Sequence, residues 1–211
     1  MNGPIYHAIE RDGRRFNFLT GWEEASVSQI ATVFEPVIDI VLSDSPPPAG
    51  DYYFAGCSAE TSYFQVPIHD VPGGARCECG STAVKEEASW FGFWSTLGTS
   101  PKDNVIYYNL KAVTFRLAET KREGWPESHG PWLIASFLIH ELHHVRYHQK
   151  MLHAWEGESE AWDVQQNFMK RTAPLFGIQP AFLKRWLKWC DETKEKQEAD
   201  WRRNHPSWRG K

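Results

Sequence analysis

One helix-forming stretch constrains this chain of 211 residues more than any other part of it. From Trp132 to Val145 the sequence contains neither proline nor glycine, and the residues that precede His140 are almost wholly apolar. A run of this length and character predicts a helix that is buried on most sides. Gly130 and Pro131 mark its start, because proline is tolerated in the first helical turn.

The second half of this helix carries the sequence His140-Glu141-Leu142-His143-His144. On a helix, the side chains of His140 and His144 lie one turn apart on the same face. Two imidazoles in that arrangement can bind one Zn²⁺ at about 2.0–2.1 Å. Glu141 lies beside the metal, where its carboxylate can accept a proton from a water molecule.

The apolar context strengthens the metal interpretation of this H-E-x-x-H pattern. Burying polar groups without partners costs roughly 1–3 kcal/mol each, so a buried helix has no structural reason to carry two histidines and a glutamate together. The alternatives are an exposed helix end rich in histidine and glutamate, or core histidines that are satisfied by hydrogen bonds.

The third ligand is not fixed by this pattern. A catalytic zinc site has three protein ligands and keeps its fourth position for water. The next acidic cluster opens a second predicted helix, which would pack against the first after a turn near residues 150–155. Glu156, Glu158 and Glu160 lie within one turn of each other, and any of them, or another histidine, is a candidate ligand. Each glutamate also has a purely structural reading, because the helix dipole favours carboxylates in the first turn.

The segment resembles the active-site helix of the zincin superfamily of zinc metallopeptidases, over residues 130–172. It is similar to the gluzincin branch, in which a downstream glutamate is the third ligand, and it lacks the glycine that the metzincin pattern requires after the second histidine. The E-x-x-A frame of many gluzincin-like proteins matches Glu158-Ser-Glu-Ala161, so the resemblance implies that Glu158 is the third ligand. Some gluzincins carry an aspartate four residues after this ligand, where this chain has Trp162.

Other polar residues are candidates for supporting roles. Asp163 or the glutamates beside the ligand could orient a zinc-binding imidazole through its second nitrogen. Tyr147 or His129 is a candidate for stabilising an oxyanion. His148 could donate a hydrogen bond to the transition state, support a metal ligand, or simply lie at the surface. Surface positions are expected for His143 and His153.

The first half of the chain predicts a hairpin followed by a helix. Asp12-Gly13 is a turn signal between the apolar segments Ile5–Ile9 and Phe16–Leu19. Apolar residues then repeat at intervals of three and four from Glu23 to Leu42, which predicts an amphipathic helix. Pro36 is expected to kink or split that helix.

Several short apolar segments predict strands, and the best of them is Val105–Asn109. The resemblance implies that it edges the cleft and binds an extended peptide through its backbone; the alternative is an interior strand. Weaker strand candidates are Tyr52–Ala55, Tyr63–Val66 and Trp90–Trp94, the last of which could also be a cleft wall or simple core. Further predictions are a helix or strand at Lys111–Glu119, loops at residues 69–81 and Lys121–Gly130, a helix at Pro180–Cys190, and a charged tail at residues 191–211.

Composition excludes some functions. The net charge of −4 argues against general nucleic-acid binding. No apolar run approaches the ~20 residues that span a bilayer, and the first residues lack the pattern of a secretory signal. We therefore expect no membrane association, and a cytoplasmic protein or one exported without a recognisable signal peptide.

The cysteines leave three alternatives open. Cys57, Cys77 and Cys79 could bind a second zinc together with His69, could form a disulfide between Cys57 and one of the other two, or could, like Cys190, be free thiols.

The sequence thus predicts one zincin-like α+β domain over residues 1–211. Its parts are a hairpin, helix and small mixed sheet with an edge strand over the cleft (1–130), the metal-site helices (131–172), and a C-terminal helix with a charged tail (173–211). The expected function is zinc-dependent hydrolysis of a peptide or protein substrate by a narrow-specificity intracellular or delivered peptidase. Zn²⁺ would be bound by His140, His144 and Glu158, with Glu141 as general base. The alternative is a zinc-stabilised, non-catalytic binding or regulatory module on the same fold.

Overall fold

The computed structural model describes residues 6–19, 25–56, 93–95, 105–108, 110–147 and 154–204. Within these ranges the protein is a mixed α+β fold, which confirms the expected class at that level. The strands are β1 (Tyr6–Arg11), β2 (Arg14–Leu19), β3 (Gly50–Gly56), β4 (Phe93–Ser95) and β5 (Val105–Tyr108). The helices are α1 (Ala25–Asp44), α2 (Leu110–Arg122), α3 (His129–Tyr147), α4 (Ala154–Thr172) and α5 (Pro180–Asn204).

The described strands form one sheet in the order β1-β2-β3-β5-β4. The three central strands are parallel, and β1 and β4 are antiparallel to their neighbours. Asp12 and Gly13 join β1 to β2 with φ angles of 48° and 73°. Two successive left-handed residues match the natural twist of a two-stranded turn, so the predicted hairpin is confirmed.

The sheet corrects the prediction for the strand at the cleft. In β5, Ile106 pairs with Phe54 of β3 on one side, and Tyr107 pairs with Trp94 of β4 on the other. This strand is therefore interior, and the edge assignment for Val105–Asn109 is wrong. Its short apolar sequence suits an interior position, where the strands on both sides form hydrogen bonds with its backbone. The edge strands of the described sheet are β1 and β4, and β4 packs against α3.

The core between α1 and the sheet is largely aromatic. Phe18 stacks on Phe54 with ring centroids 4.4 Å apart, and Phe34 of α1 contacts Phe18 at 4.7 Å. All three side chains are at most 1% exposed. Helix α1 runs without interruption through Pro36, so the proline does not split it. Burial of the apolar face on both sides of the proline offsets the lost hydrogen bond.

Helix α3 is the central element of the helical part. Every residue from Trp132 to His144 is buried, because α1, α2, α4 and the sheet all pack against this helix. The predicted buried helix is thus confirmed. The segment Lys111–Glu119, predicted as a helix or a strand, belongs to helix α2, which ends at Arg122. The predicted loop Lys121–Gly130 is shorter than expected, because only residues 123–128 separate α2 from α3.

The C-terminal helix α5 is longer than predicted. It buries Phe182, Trp186 and Cys190 at successive turns, which confirms the predicted docking, and it continues through the charged segment to Asn204. Among the described helices, none combines the length and apolar character that crossing a bilayer requires. The predicted strand Tyr63–Val66, the loop at residues 69–81, His69 and the cysteines other than Cys190 lie outside the described residues.

Candidate metal centre

The packing of α3 against α4 brings three candidate ligands together. His140 and His144 lie one turn apart on α3, and Glu158 lies in the second turn of α4. The Nε2 atom of His140 is 3.3 Å from Oε1 of Glu158, and the Nε2 atom of His144 is 3.1 Å from Oε2. One ligand atom from each residue falls within 4.8 Å of the other two. The two imidazoles and one carboxylate therefore face a common point.

The centre is largely withdrawn from solvent. His140 is 5% exposed and His144 is 2% exposed, while the Glu158 side chain retains 24% exposure. Burial on its own would raise the pKa of Glu158, but hydrogen bonds with His140 and His144 outweigh it and hold that pKa well below its usual value. The lowered pKa favours the ionised carboxylate, which is the form that binds a cation.

The chemistry of these residues is compatible with a zinc ion. Ligands of a tetrahedral zinc at about 2.0–2.1 Å are separated from each other by about 3.3 Å. The nitrogen–oxygen distances of 3.3 and 3.1 Å, which end on the two different oxygens of Glu158, are close to that separation. One ligand atom from each of the three residues lies within 4.8 Å of the others. Nitrogen and oxygen donors also suit other divalent transition metals, so the donor set is compatible with this class of metals rather than with one metal.

The structure distinguishes between the candidate glutamates. Glu158 faces both His140 and His144, whereas Oε2 of Glu160 is 3.5 Å from Nε2 of His143 and its side chain is 69% exposed. The side chain of Glu156 lies outside the described part of the chain. Glu160 is thus on the side of α4 that faces His143.

Helix α4 also changes the environment of His143. The sequence predicts a surface position, but His143 is only 9% exposed, so that prediction is wrong. Burial lowers the pKa of His143, and the neighbouring His144 lowers it further. Glu141, the candidate general base, follows His140 directly on α3 and is likewise 9% exposed.

A neutral side chain contacts the second nitrogen of His140. Nδ1 of His140 is 3.1 Å from Oε1 of Gln165, and the amide group of Gln165 donates to Oγ of Ser136 at 3.3 Å. Sequence analysis missed Gln165. Its position seven residues after Glu158 places it on the same helical face, two turns further on, which is the signal that could have identified it.

Asp163 does not take the orienting role that the sequence suggests. Its Oδ1 accepts a hydrogen bond from Nζ of Lys194 on α5 at 2.6 Å, and its side chain is 60% exposed. Trp162 packs edge to face on His140, with ring centroids 4.6 Å apart, and its indole N–H donates to Gln197. The indole therefore covers the imidazole instead of hydrogen bonding to it.

His129 lies at the opposite end of α3 from the metal centre. It is fully buried, and its Nε2 accepts a hydrogen bond from the backbone N–H of Gln179 at 3.0 Å. Eleven residues of helix, about 16 Å, separate it from His140. His129 therefore supports the start of α5, and the suggested oxyanion role is wrong. The side chain of Tyr147, together with His148 and His153, lies outside the described residues.

Comparisons with known proteins yield no assignment. No protein-family model, no curated protein and no solved structure matches this chain. The fold and the centre together define the class: a mixed α+β protein in which two histidines and a glutamate form a cluster that could hold a metal ion.

Proposed function

We propose that this protein is a zincin-like peptidase of the gluzincin type, which binds Zn²⁺ through His140, His144 and Glu158. The observation that carries the proposal is the approach of both Nε2 atoms to the two oxygens of one carboxylate, at 3.3 and 3.1 Å. Without a metal, protons must separate these electron-rich atoms. A divalent cation replaces such protons and stabilises all three groups at once.

The same geometry supports a hydrolytic role. Zinc held at this position would polarise a substrate carbonyl and lower the pKa of a coordinated water. Glu141 then acts as general base: its carboxylate takes the proton from the attacking water and returns it to the nitrogen of the leaving amine. Placing this glutamate directly after the first histidine, on a buried helix, keeps it beside the reacting atoms.

The proposed substrate is an extended peptide segment of a protein target. β4 is one of the two outer strands of the described sheet, and it packs against α3, which carries the histidines. Backbone groups on an edge strand can bind a peptide whatever its side chains are. We assign the binding of the main chain to β4 and propose a narrow-specificity peptidase acting inside a cell or delivered into one.

One observation favours a second candidate function. The histidines are only 5% and 2% exposed, and the ring of Trp162 covers one side of His140. Deep burial of the ligands is also compatible with a zinc ion that stabilises a binding module without turnover. Both candidate functions require the metal site, and only the peptidase cleaves peptides. Metal content and peptide cleavage therefore both have to be measured.

The first measurement is the metal content of the purified protein after zinc loading and removal of excess ions. We expect about one Zn²⁺ for each chain in the wild type, and a large loss in Glu158→Ala. Glu160→Ala is the matched control, because it removes a neighbouring glutamate that faces His143. Wild-type protein that binds no zinc contradicts the proposal. Equal zinc loss in both variants contradicts the assignment of Glu158.

The second measurement is cleavage of a library of quenched fluorescent peptides. Glu141→Gln is expected to keep its zinc and to lose activity by about 10²–10⁴-fold, the usual contribution of a general base. Wild-type cleavage by this variant would refute the mechanism. Zinc binding without cleavage of any library peptide would favour the binding module.

A further inference from the structure

A line of buried polar groups runs behind His140, on the side opposite Glu158. The hydroxyl of Ser136 donates to the carbonyl oxygen of Leu133 at 2.7 Å, and the amide nitrogen of Gln165 donates to that hydroxyl at 3.3 Å. Oε1 of Gln165 then lies 3.1 Å from Nδ1 of His140. Ser136 and Gln165 are fully buried, and His140 is 5% exposed, so water does not compete for these groups.

The direction of each hydrogen bond follows from counting protons. Ser136 has one hydroxyl proton and uses it on Leu133, so it can only accept from Gln165. Gln165 must therefore turn its NH₂ group toward Ser136 and its carbonyl oxygen toward His140. A carbonyl oxygen only accepts, so Nδ1 of His140 carries a proton. When a metal displaces the proton between Nε2 and Glu158, the imidazole is neutral with its proton on Nδ1, and the Nε2 lone pair is free to bind the metal.

Trp162, which also packs on His140, cannot do this. The indole of Trp162 has a donor and no acceptor, and it uses that donor on Gln197. The second histidine differs, because Nδ1 of His144 is buried without a hydrogen-bond partner among the described residues. Within that part of the chain, Gln165 is thus the side chain that selects the protonated nitrogen of a candidate ligand.

We infer that Gln165 is a positioning residue, which fixes the tautomer and ring orientation of His140 and thereby sets the metal affinity of the centre. The inference rests on the proposed zinc site. Removing a hydrogen-bond partner of a metal-binding histidine typically lowers metal affinity by about 10–100-fold. Gln165 contributes an uncharged acceptor, so the ligand set with its supporting group carries one negative charge, from Glu158. A carboxylate in its place would add a second negative charge close to the cation.

The experiment compares three variants of the full chain. Gln165→Leu removes the acceptor at similar volume, and Gln165→Glu keeps an acceptor and adds charge. Gln166→Leu is the matched control, because Gln166 is also buried on α4 but donates to Asp191 at 2.7 Å. Zinc affinity is measured by competition with a chelator. The visible absorption of the Co²⁺-loaded proteins reports the ligand geometry, and circular dichroism of the metal-free proteins reports folding.

We expect Gln165→Leu to bind zinc about 10–100-fold more weakly than the wild type and to alter the Co²⁺ spectrum. Gln165→Glu should bind at least as tightly as the wild type, and Gln166→Leu should change neither quantity. Unchanged zinc affinity in Gln165→Leu overturns the inference, as does a Gln165→Glu variant that binds as weakly as Gln165→Leu. If the wild type itself binds no zinc, the proposed function fails instead.

A second variant decides the matter if Gln165→Leu does not fold. Ser136→Ala leaves His140 and Gln165 intact but removes the hydroxyl that orients the amide. We expect a smaller loss of zinc affinity in the same direction, with metal-free folding retained. Wild-type affinity in Ser136→Ala together with weak binding in Gln165→Glu would refute the inference.

Discussion

Replacing Thr172 with valine removes one hydroxyl that joins α3 to α4, at the end of the helix pair that is remote from the candidate metal centre. The indole N–H of Trp132 donates to Oγ1 of Thr172 at 2.8 Å, and Oγ1 donates its own proton to the carbonyl oxygen of Phe168 at 2.8 Å. Trp132 and Thr172 are both fully buried. Valine has nearly the same shape as threonine, so the substitution leaves no cavity and changes only the hydrogen bonds.

The magnitude follows from which groups lose a partner. The indole N–H of Trp132 remains buried without an acceptor, which costs about 1–3 kcal/mol in the free energy of unfolding. The carbonyl oxygen of Phe168 loses only an additional donor and keeps its position in the helix. Since each kcal/mol lowers the melting temperature by about 2–4 °C in a chain of this size, Thr172→Val should melt about 2–12 °C below the wild type.

The assay is urea unfolding followed by tryptophan fluorescence, with thermal melting as a second measurement. Thr120→Val is the matched control: Thr120 is 4% exposed and donates to the carbonyl oxygen of Arg116, but among the described residues its hydroxyl accepts no hydrogen bond. We expect that control to lose about 1–3 kcal/mol less than Thr172→Val, because both substitutions remove a bond to a helix carbonyl but only Thr172→Val leaves an indole N–H without an acceptor. Equal destabilisation by both substitutions would refute the reasoning, because the shared loss would then be the bond to the helix carbonyl.

Two further predictions concern groups away from the metal centre. Arg171 binds both carboxylate oxygens of Asp44, and these hydrogen bonds hold the pKa of Asp44 below its ordinary value of 3.8. The ion pair therefore stabilises the protein above pH 3.8, and this stabilisation disappears as the pH falls through the lowered pKa of Asp44. In urea unfolding, Arg171→Gln should lower the free energy of unfolding by about 0.5–1 kcal/mol at neutral pH and by almost nothing in strong acid. A difference that persists unchanged in acid would contradict this. Burial raises the pKa of Cys190 to about 12. Iodoacetamide should therefore alkylate this thiol at neutral pH only when the protein unfolds, which peptide mass mapping would detect. Rapid labelling of the native protein would contradict the prediction.

Local features of this protein were predictable from sequence because neighbouring residues determine them. The Asp12-Gly13 turn requires left-handed backbone at two successive positions, and those residue types adopt it readily. The period of three and four reveals α1 without knowledge of its partners. The spacing of His140 and His144 places them on one helical face in the same way.

The third candidate ligand depends on tertiary structure. Glu156, Glu158 and Glu160 all belong to the start of α4, and the rotation of that helix about its axis decides which of them faces α3. That rotation is set by burial of distant apolar residues, such as Phe168 and Met169, which are at most 1% exposed. The resemblance to gluzincins implied Glu158, whereas helical periodicity alone left Glu156, Glu158 and Glu160 as candidate ligands.

Nonlocal pairing explains the errors. The sequence of β5 is compatible with an edge or an interior position, and only the arrival of β4 beside it makes it interior. His143 is buried because α4 covers a side of α3 that a helical pattern alone would leave open. Gln165 carries no motif, and its importance depends on Ser136 and His140 of another helix.

Because α3 is enclosed from Trp132 to His144, the histidines share one continuous helical scaffold with the protein's core. Deleting a single residue such as Ala135 would rotate everything on one side of the cut by about 100° relative to the other. Either the apolar residues would then turn away from their partners or the imidazoles would turn away from Glu158. A change of length in this segment would therefore disrupt the packing of the core and the His140, His144 and Glu158 cluster together.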